Sequence, residues 1–247
     1  ANWVDDVTAP LTDSQLQTML QVEQGGMVEV LLDLFAATGN ERYRTVSRRF
    51  EHRAVLDPLR SDRDELAGKH ANTQIPKITG AARSFETSGA APDRAAAEQF
   101  WRRVVRDHSW VIGGNSDGEH FFAPVSAADH LNAATAETCN TYNMLKLTEH
   151  LFTWQPHVEY ADYYERALYN HILPSLEPRL GMFTYFMSLK PGHFRTYSTP
   201  HDSFWCCVGS GMENHTKYGA AIYFHAQEAV YVNLFIPSVL RWQERGL

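Results

Sequence analysis

Cysteine occurs three times in this 247-residue chain and in only two places, once in Glu137-Thr138-Cys139 and twice side by side as Cys206-Cys207. Three soft thiolates and one carboxylate complete a tetrahedral zinc set, with sulfur at ~2.3 Å and a carboxylate oxygen at ~2.0–2.2 Å from the ion. The two halves of such a set stand roughly seventy residues apart, so a shared ion pins two distant segments together inside a larger fold. A free cysteine more often buries as a small hydrophobe, and three unrelated core thiols remain the competing reading. Disulfide pairing suits the pattern less, because adjacent cysteines rarely reach bridge geometry and an odd count leaves one thiol over.

The flanking residues sharpen the metal reading. Ser210 and Glu213, three apart in Val208-Gly209-Ser210-Gly211-Met212-Glu213, have capping-box spacing, which predicts a helix starting near Gly211. Cys206 and Cys207 then lie just before a helix N-terminus, whose partial positive charge and unpaired N–H groups favour the thiolate. Residues i and i+2 do not share a helix face. Glu137 and Cys139 therefore converge on one ion only if their stretch is extended or turned, with the next helix starting at or after Thr138.

Five runs, in order, resemble the signatures of the β-L-arabinofuranosidases of glycoside hydrolase families 127 and 146. They are Gly68-Lys69-His70-Ala71-Asn72-Thr73-Gln74-Ile75-Pro76-Lys77, Val111-Ile112-Gly113-Gly114-Asn115-Ser116, Glu137-Thr138-Cys139-Asn140-Thr141-Tyr142-Asn143-Met144-Leu145-Lys146, Tyr163-Tyr164-Glu165-Arg166-Ala167-Leu168-Tyr169-Asn170-His171 and Ser203-Phe204-Trp205-Cys206-Cys207-Val208-Gly209-Ser210-Gly211-Met212-Glu213-Asn214. The resemblance extends from about Gly25 to Pro237, and glycines at 25–26, where family-127 members carry a histidine, make it closer to family 146. It implies a mainly α fold, part of an (α/α)6 barrel with short β-strands towards the C-terminus. Residues 1–225 would be the partial catalytic barrel and 226–247 the start of a β-rich segment. By the same resemblance Glu137, Cys139, Cys206 and Cys207 match zinc ligands, Cys206 matches the nucleophile and Glu119 the general acid/base, while His70 and Tyr185 match contacts to the arabinose. The implied partner is a plant-derived arabinose-containing oligosaccharide, and a homodimer is expected of the full-length protein.

The chemistry follows without the family name. Retaining glycoside hydrolysis needs a nucleophile on one side of the anomeric carbon and a proton donor beside the leaving oxygen, and water then opens the covalent intermediate. A thiol at its free pKa of ~8.5 is mostly protonated near neutrality, but coordination to zinc removes the proton. Sharing electrons with the metal weakens the sulfur as a nucleophile, and the anionic Glu137 and two further thiolates offset this by reducing the Lewis acidity of the ion. Glu119 would protonate the departing oxygen and then activate water, work that suits a carboxyl pKa raised towards ~6–7.

Each single residue also has a plainer reading. Glu119 sits in a Gly-containing polar loop, where carboxylates are ordinarily solvated. His70 fits a buried or helix-N-terminal histidine, and Tyr185, within the apolar run Met182 to Met187, fits a core tyrosine. His193, His201 and His215 do not have the spacing of a second zinc site.

A hydrophobic content of 44% over this length can bury a sizeable core in one or two domains. A formal charge of −7 argues against nucleic acid as a partner, and no 18-residue apolar span suggests a membrane partner. Periodicity and caps predict helices over 12–37, 40–56, 62–82, 93–108, 139–153, 157–173 and 211–221, and strands over 182–189 and 229–236. Residues 109–134 form a long polar loop, the kind that commonly carries function. Seven or so helices fall short of twelve, and the chain ends where the family enters its β domain, so a fragment is expected. Two other classes stay open: a helical carbohydrate-binding or scaffold protein with a purely structural zinc site, and a metal-free sugar epimerase on a similar toroid using histidine pairs.

Overall fold

The computed structural model describes residues 1–22 and 24–246. Among them are ten α-helices: α1 (Asn2–Thr8), α2 (Asp13–Met19), α3 (Met27–Thr38), α4 (Glu41–Arg49), α5 (Arg53–Arg60), α6 (Ala71–Ser88), α7 (Ala91–Asp107), α8 (Thr138–Trp154), α9 (Val158–Ala167) and α10 (Cys206–Asn214). Two short antiparallel hairpins flank α10 in sequence, β1 (Leu176–Glu177) with β2 (Met182–Phe183) before it and β3 (Tyr223–His225) with β4 (Val230–Val232) after it. The mainly α class with short strands towards the C-terminus is as expected.

Several elements end earlier than periodicity predicts, each for a local reason. The expected helix over 12–37 does begin at Thr12, in a capping box with Gln15, but breaks between Met19 and Met27 around Gly25-Gly26. The expected helix over 40–56 breaks after Arg49, where the Gln17 amide takes both loose backbone groups: Nε2 donates to Glu51 O at 2.9 Å and Oε1 accepts from Arg53 N at 3.0 Å. The helix expected over 62–82 starts only at Ala71, capped by His70. That over 157–173 changes to a π-turn at 168–172. The predicted start near Gly211 is wrong: α10 begins at Cys206, and Ser210 lies inside it with its hydroxyl turned to Cys139 instead of capping. Strand pairing over 182–189 is confined to β2 and isolated bridges, and over 229–236 to β4.

Helices α3, α6, α8 and α10 form a front row in which each packs on the next, with α4 behind α3, α7 behind α6 and α8, and α9 behind α8. The row is parallel. Arg83 of α6 pairs with Asp33 of α3, Asn143 of α8 with Asn72 of α6, and Tyr142 of α8 with Glu213 of α10. All four N-termini therefore point to one end, as the inner staves of an α/α barrel do. The described residues form an arc of such a barrel.

The row holds together by apolar burial, with Ile75, Ile78, Phe100, Met144, Leu147, Tyr163 and Ile172 in one continuous cluster. Close approach of α3 and α6 depends on Gly80, where a Cβ would stand 2.7 Å from Val28 Cβ. At the far end α6 and α8 are clamped by Glu86, which accepts from His150 Nδ1 at 2.7 Å, Trp154 Nε1 at 3.0 Å and Arg83 Nη1 at 2.9 Å. Burial alone would raise the Glu86 carboxyl, but these bonds, His150 foremost, hold it down at about 2.

Two outcomes follow. Gly80→Leu overpacks the α3–α6 contact and should lower stability by about 1–3 kcal/mol in urea denaturation. Because the folded carboxyl of Glu86 lies below its unfolded value, its stabilisation is present above pH 4.5 and lost as the pH falls towards 2. Glu86→Gln should therefore cost about 1–3 kcal/mol at pH 7 and flatten the loss of stability across that acid window.

Candidate metal centre and active site

Backbone hydrogen bonds stitch together four segments at the N-terminal end of the front row. Gly68 N donates to Phe121 O at 2.7 Å and Ala71 N to Glu119 O at 2.7 Å, joining the 117–121 loop to the entrance of α6. Gly118 N donates to Ala134 O at 2.9 Å and Ala136 N to Ser116 O at 3.1 Å, joining the same loop to the approach of α8. Thr138 N donates to Tyr185 O at 3.0 Å and Met187 N to Ala136 O at 3.0 Å, adding the run after β2. These bonds bring His70, Glu119, Glu137 and Tyr185 to one place.

The ligand set assembles as the spacing requires. Glu137 is the extended residue before α8, at φ −62° and ψ 133°, and Cys139 lies in the first turn of the helix. Cys206 and Cys207 occupy the first two positions of α10, with Trp205 preceding them. Gly211 lets that helix seat against the Phe183 ring, since a Cβ there would stand 2.5 Å from it. One ligand atom from each of Glu137, Cys139, Cys206 and Cys207 lies within 4.8 Å of all the others. Cys139 Sγ is 3.2 Å from Cys207 Sγ, Cys206 Sγ is 4.0 Å from Cys207 Sγ, and both Cys206 and Cys207 sulfurs are 3.9 Å from Glu137 Oε1. A regular tetrahedron with ~2.3 Å arms has edges of about 3.8 Å. The donors thus fit a four-coordinate, thiophilic metal ion.

Exposure separates the four. Glu137, Cys139 and Cys207 are buried, whereas Cys206 is exposed. Hydrogen bonds from Cys139 and then Cys207 hold the Cys206 thiol far below its ordinary range, and the same shared bonds push Cys139 and Cys207 up. Cys206 is thus the one sulfur of the set that solvent reaches.

Tyr185 connects this sulfur to the carboxyl of Glu119. Its hydroxyl donates to Glu119 Oε1 in a short hydrogen bond and lies 3.8 Å from Cys206 Sγ. Burial, reinforced by the bond to Glu119, raises the phenol, which stays protonated as a donor. His70 completes the group: Nδ1 accepts from Thr73 N at 3.3 Å as the cap of α6, and Nε2 lies 3.7 Å from Glu119 Oε2. The helix-N-terminal reading of His70 is correct, and its other nitrogen faces the site.

Glu119 is not a freely solvated loop residue. Its side chain is about two-thirds buried, at 31% relative exposure, and its backbone is left-handed at φ +70°, next to Gly118 at +50°. A non-glycine residue there costs on the order of 1–3 kcal/mol and persists where its surroundings impose it. Here the loop is held on both sides of it, Glu119 O accepting from Ala71 N at 2.7 Å and the Asp117 carboxylate from Asn132 Nδ2 at 2.7 Å and His130 Nδ1 at 2.8 Å. Asp117, His130 and Asn132 escaped the sequence reading, as did Ser210, whose hydroxyl donates to Cys139 Sγ at 3.0 Å. Trp205, edge-on to Tyr185 at 5.7 Å between centroids, is another contact the motif did not assign. Nothing local distinguishes these polar residues from ordinary loop and helix residues.

The family model for the β-L-arabinofuranosidase GH127 catalytic domain matches residues 1–220. The chain belongs to this family. Solved structures similar to this GH127 domain include the GH127 β-arabinofuranosidase BT3674, with a TM-score of 0.69 at 22% identity over 85% of this chain and 35% of that one. Another is Ara127N-Se, a GH127 β-L-arabinofuranosidase from Geobacillus stearothermophilus T6, with a TM-score of 0.69 at 21% identity, covering 86% of this chain and 40% of that one. A third, described as a glycoside hydrolase, gives 0.67 at 18% identity over 84% and 40%. The GH127 domain thus spans well under half the length of these proteins. No curated protein matches it.

Metal analysis by inductively coupled plasma mass spectrometry should give close to one thiophilic ion per chain, with at least a tenfold loss of affinity in Cys139→Ser. Chelation should lower the melting temperature, since an ion present at a hundredfold above its Kd contributes about 2.7 kcal/mol. A parent protein that stays metal-free in excess metal would refute the site.

Proposed function

We propose that this GH127 domain is the catalytic part of a retaining glycoside hydrolase that releases L-arabinofuranose from β-L-arabinofuranosides, with zinc in the Glu137, Cys139, Cys206 and Cys207 set. The observation that carries this reading is that the exposed member of the set, Cys206, shares the Tyr185 hydroxyl with Glu119. One sulfur of the set is open to solvent and faces a carboxyl across a single phenol, the arrangement that a nucleophile and a proton donor on one glycosidic bond need. Residues 1–225 would form the catalytic helical part and 226–247 the start of a β-rich segment. The fitting substrate is a plant-derived arabinose-containing oligosaccharide, and the full-length protein would be a homodimer.

Zinc bound in the set keeps the cysteines deprotonated near neutral pH. Cys206 Sγ attacks the anomeric carbon as the bond to the leaving oxygen breaks, and Glu119 gives that oxygen its proton. The glycosyl group is then carried on Cys206 as a thioglycoside. Glu119, now a carboxylate, takes a proton from water whose oxygen displaces the sulfur, so the configuration is retained. Tyr185 holds the Glu119 carboxyl in place, and His70 and Tyr185 offer hydrogen bonds to the sugar hydroxyls.

Glu119→Ala should lower kcat/KM on an alkyl β-L-arabinofuranoside by ~10²–10⁴ with zinc content and melting unchanged. Cys206→Ser should abolish turnover. Parent-like turnover by Glu119→Ala would remove its role, and equal unfolding of Cys206→Ser and Cys139→Ser would return the centre to a structural one.

A further inference from the structure

A cavity of about 560 Å³ opens beside His70, walled by Gln21, His52, Lys69, Thr73 and Gln74. That volume is within the ordinary range for small-molecule sites. Among the described residues no carboxylate lines it, although the chain as a whole carries a formal charge of −7.

Positive charge gathers behind its wall, with no carboxylate paired to it among the described residues. Lys77 is 2% exposed, and its Nζ donates to Leu20 O at 3.1 Å, Gln74 Oε1 at 3.1 Å and His52 Nδ1 at 2.9 Å. Among the described residues no carboxylate pairs with it, and Glu51 and Asp93 are taken by Arg60 at 2.9 and 2.5 Å. A buried charge is ordinarily paired. Since Lys77 donates to Nδ1, the His52 proton sits on Nε2, and that buried N–H finds no acceptor. Lys69, half-buried on the wall, has a side chain with no hydrogen bond or ion pair among the described residues. Burial and the Lys69 charge lower Lys77 to about 8, and burial with both lysines lowers His52 to about 4.

The cavity adjoins the catalytic cluster through His70, whose Nε2 faces Glu119. A general acid stands beside the leaving oxygen, and His70 adjoins both the Glu119 carboxyl, at 3.7 Å, and the cavity. We propose that this cavity is a leaving-group subsite that takes a carboxylate-bearing sugar, a uronate. Lys69 meets its charge at the wall, with Lys77 adding to the field from behind, and the Gln21, Thr73 and Gln74 side chains meet its hydroxyls. The inference rests on the hydrolase reading above.

The test is calorimetric titration of the parent protein with D-galacturonate, its uncharged methyl ester and inorganic sulfate, repeated on Lys69→Met and Lys69→Arg. Galacturonate should bind at least about tenfold more tightly than the ester and than sulfate. Lys69→Met should erase that preference and Lys69→Arg keep it. Equal binding of acid and ester, sulfate binding as tightly as galacturonate, or an unaltered preference in Lys69→Met would each overturn the subsite. Binding is read without turnover, so loss of the preference in a parent that hydrolyses an alkyl β-L-arabinofuranoside overturns the subsite alone. Lys69-dependent galacturonate binding in a parent without that hydrolysis supports the uronate site and overturns the activity instead.

Discussion

Everything at the mouth of this domain depends on three sulfurs and a carboxylate held within 4.8 Å of one another. Four such groups cannot all be anionic at that separation without a compensating cation. Shared hydrogen bonds pull the Cys206 thiol down and push Cys207 up. A metal ion would supply that cation. Because the donors come from the beginnings of α8 and α10, an ion held by them would tie two parallel staves at the end where they begin.

The rest of the site is arranged around that junction by backbone and not by side chains alone. The ladder through Ser116, Gly118, Ala136 and Tyr185 fixes the order of segments, and it holds the loop in which Glu119 is left-handed, with Asp117 bonded to His130 and Asn132. The strain stored there is local. It is carried by a loop whose ends are anchored to α6 and α8, helices that bury Ile75, Ile78, Met144 and Leu147 completely. A rigid helical row thus supports a small irregular surface on which carboxyl, phenol and thiol meet.

Motif and cap arguments were good guides where the physics is local. The Thr12–Gln15 capping box, the stop at Gly39, the extended Glu137 before α8 and the four ligand positions could all be read from neighbouring residues. They misled where a distant group competes. Ser210 reads as a cap but spends its hydroxyl on Cys139, and residues 49–53 read as continuous helix until the Gln17 amide takes their backbone groups. The family signature located Glu119 and Tyr185, but no local pattern announced that they touch.

The sequence by itself determined the helical class, the family and the four residues that could hold a metal ion, because residue spacing and donor chemistry are properties of the chain. The tertiary structure alone decided that Cys206 is the accessible sulfur, that Tyr185 bridges it to Glu119, and that Lys77 is buried beside a cavity with no acid on its wall among the described residues. Exposure and charge environment are set by which segments pack together, and that packing joins residues far apart along the chain.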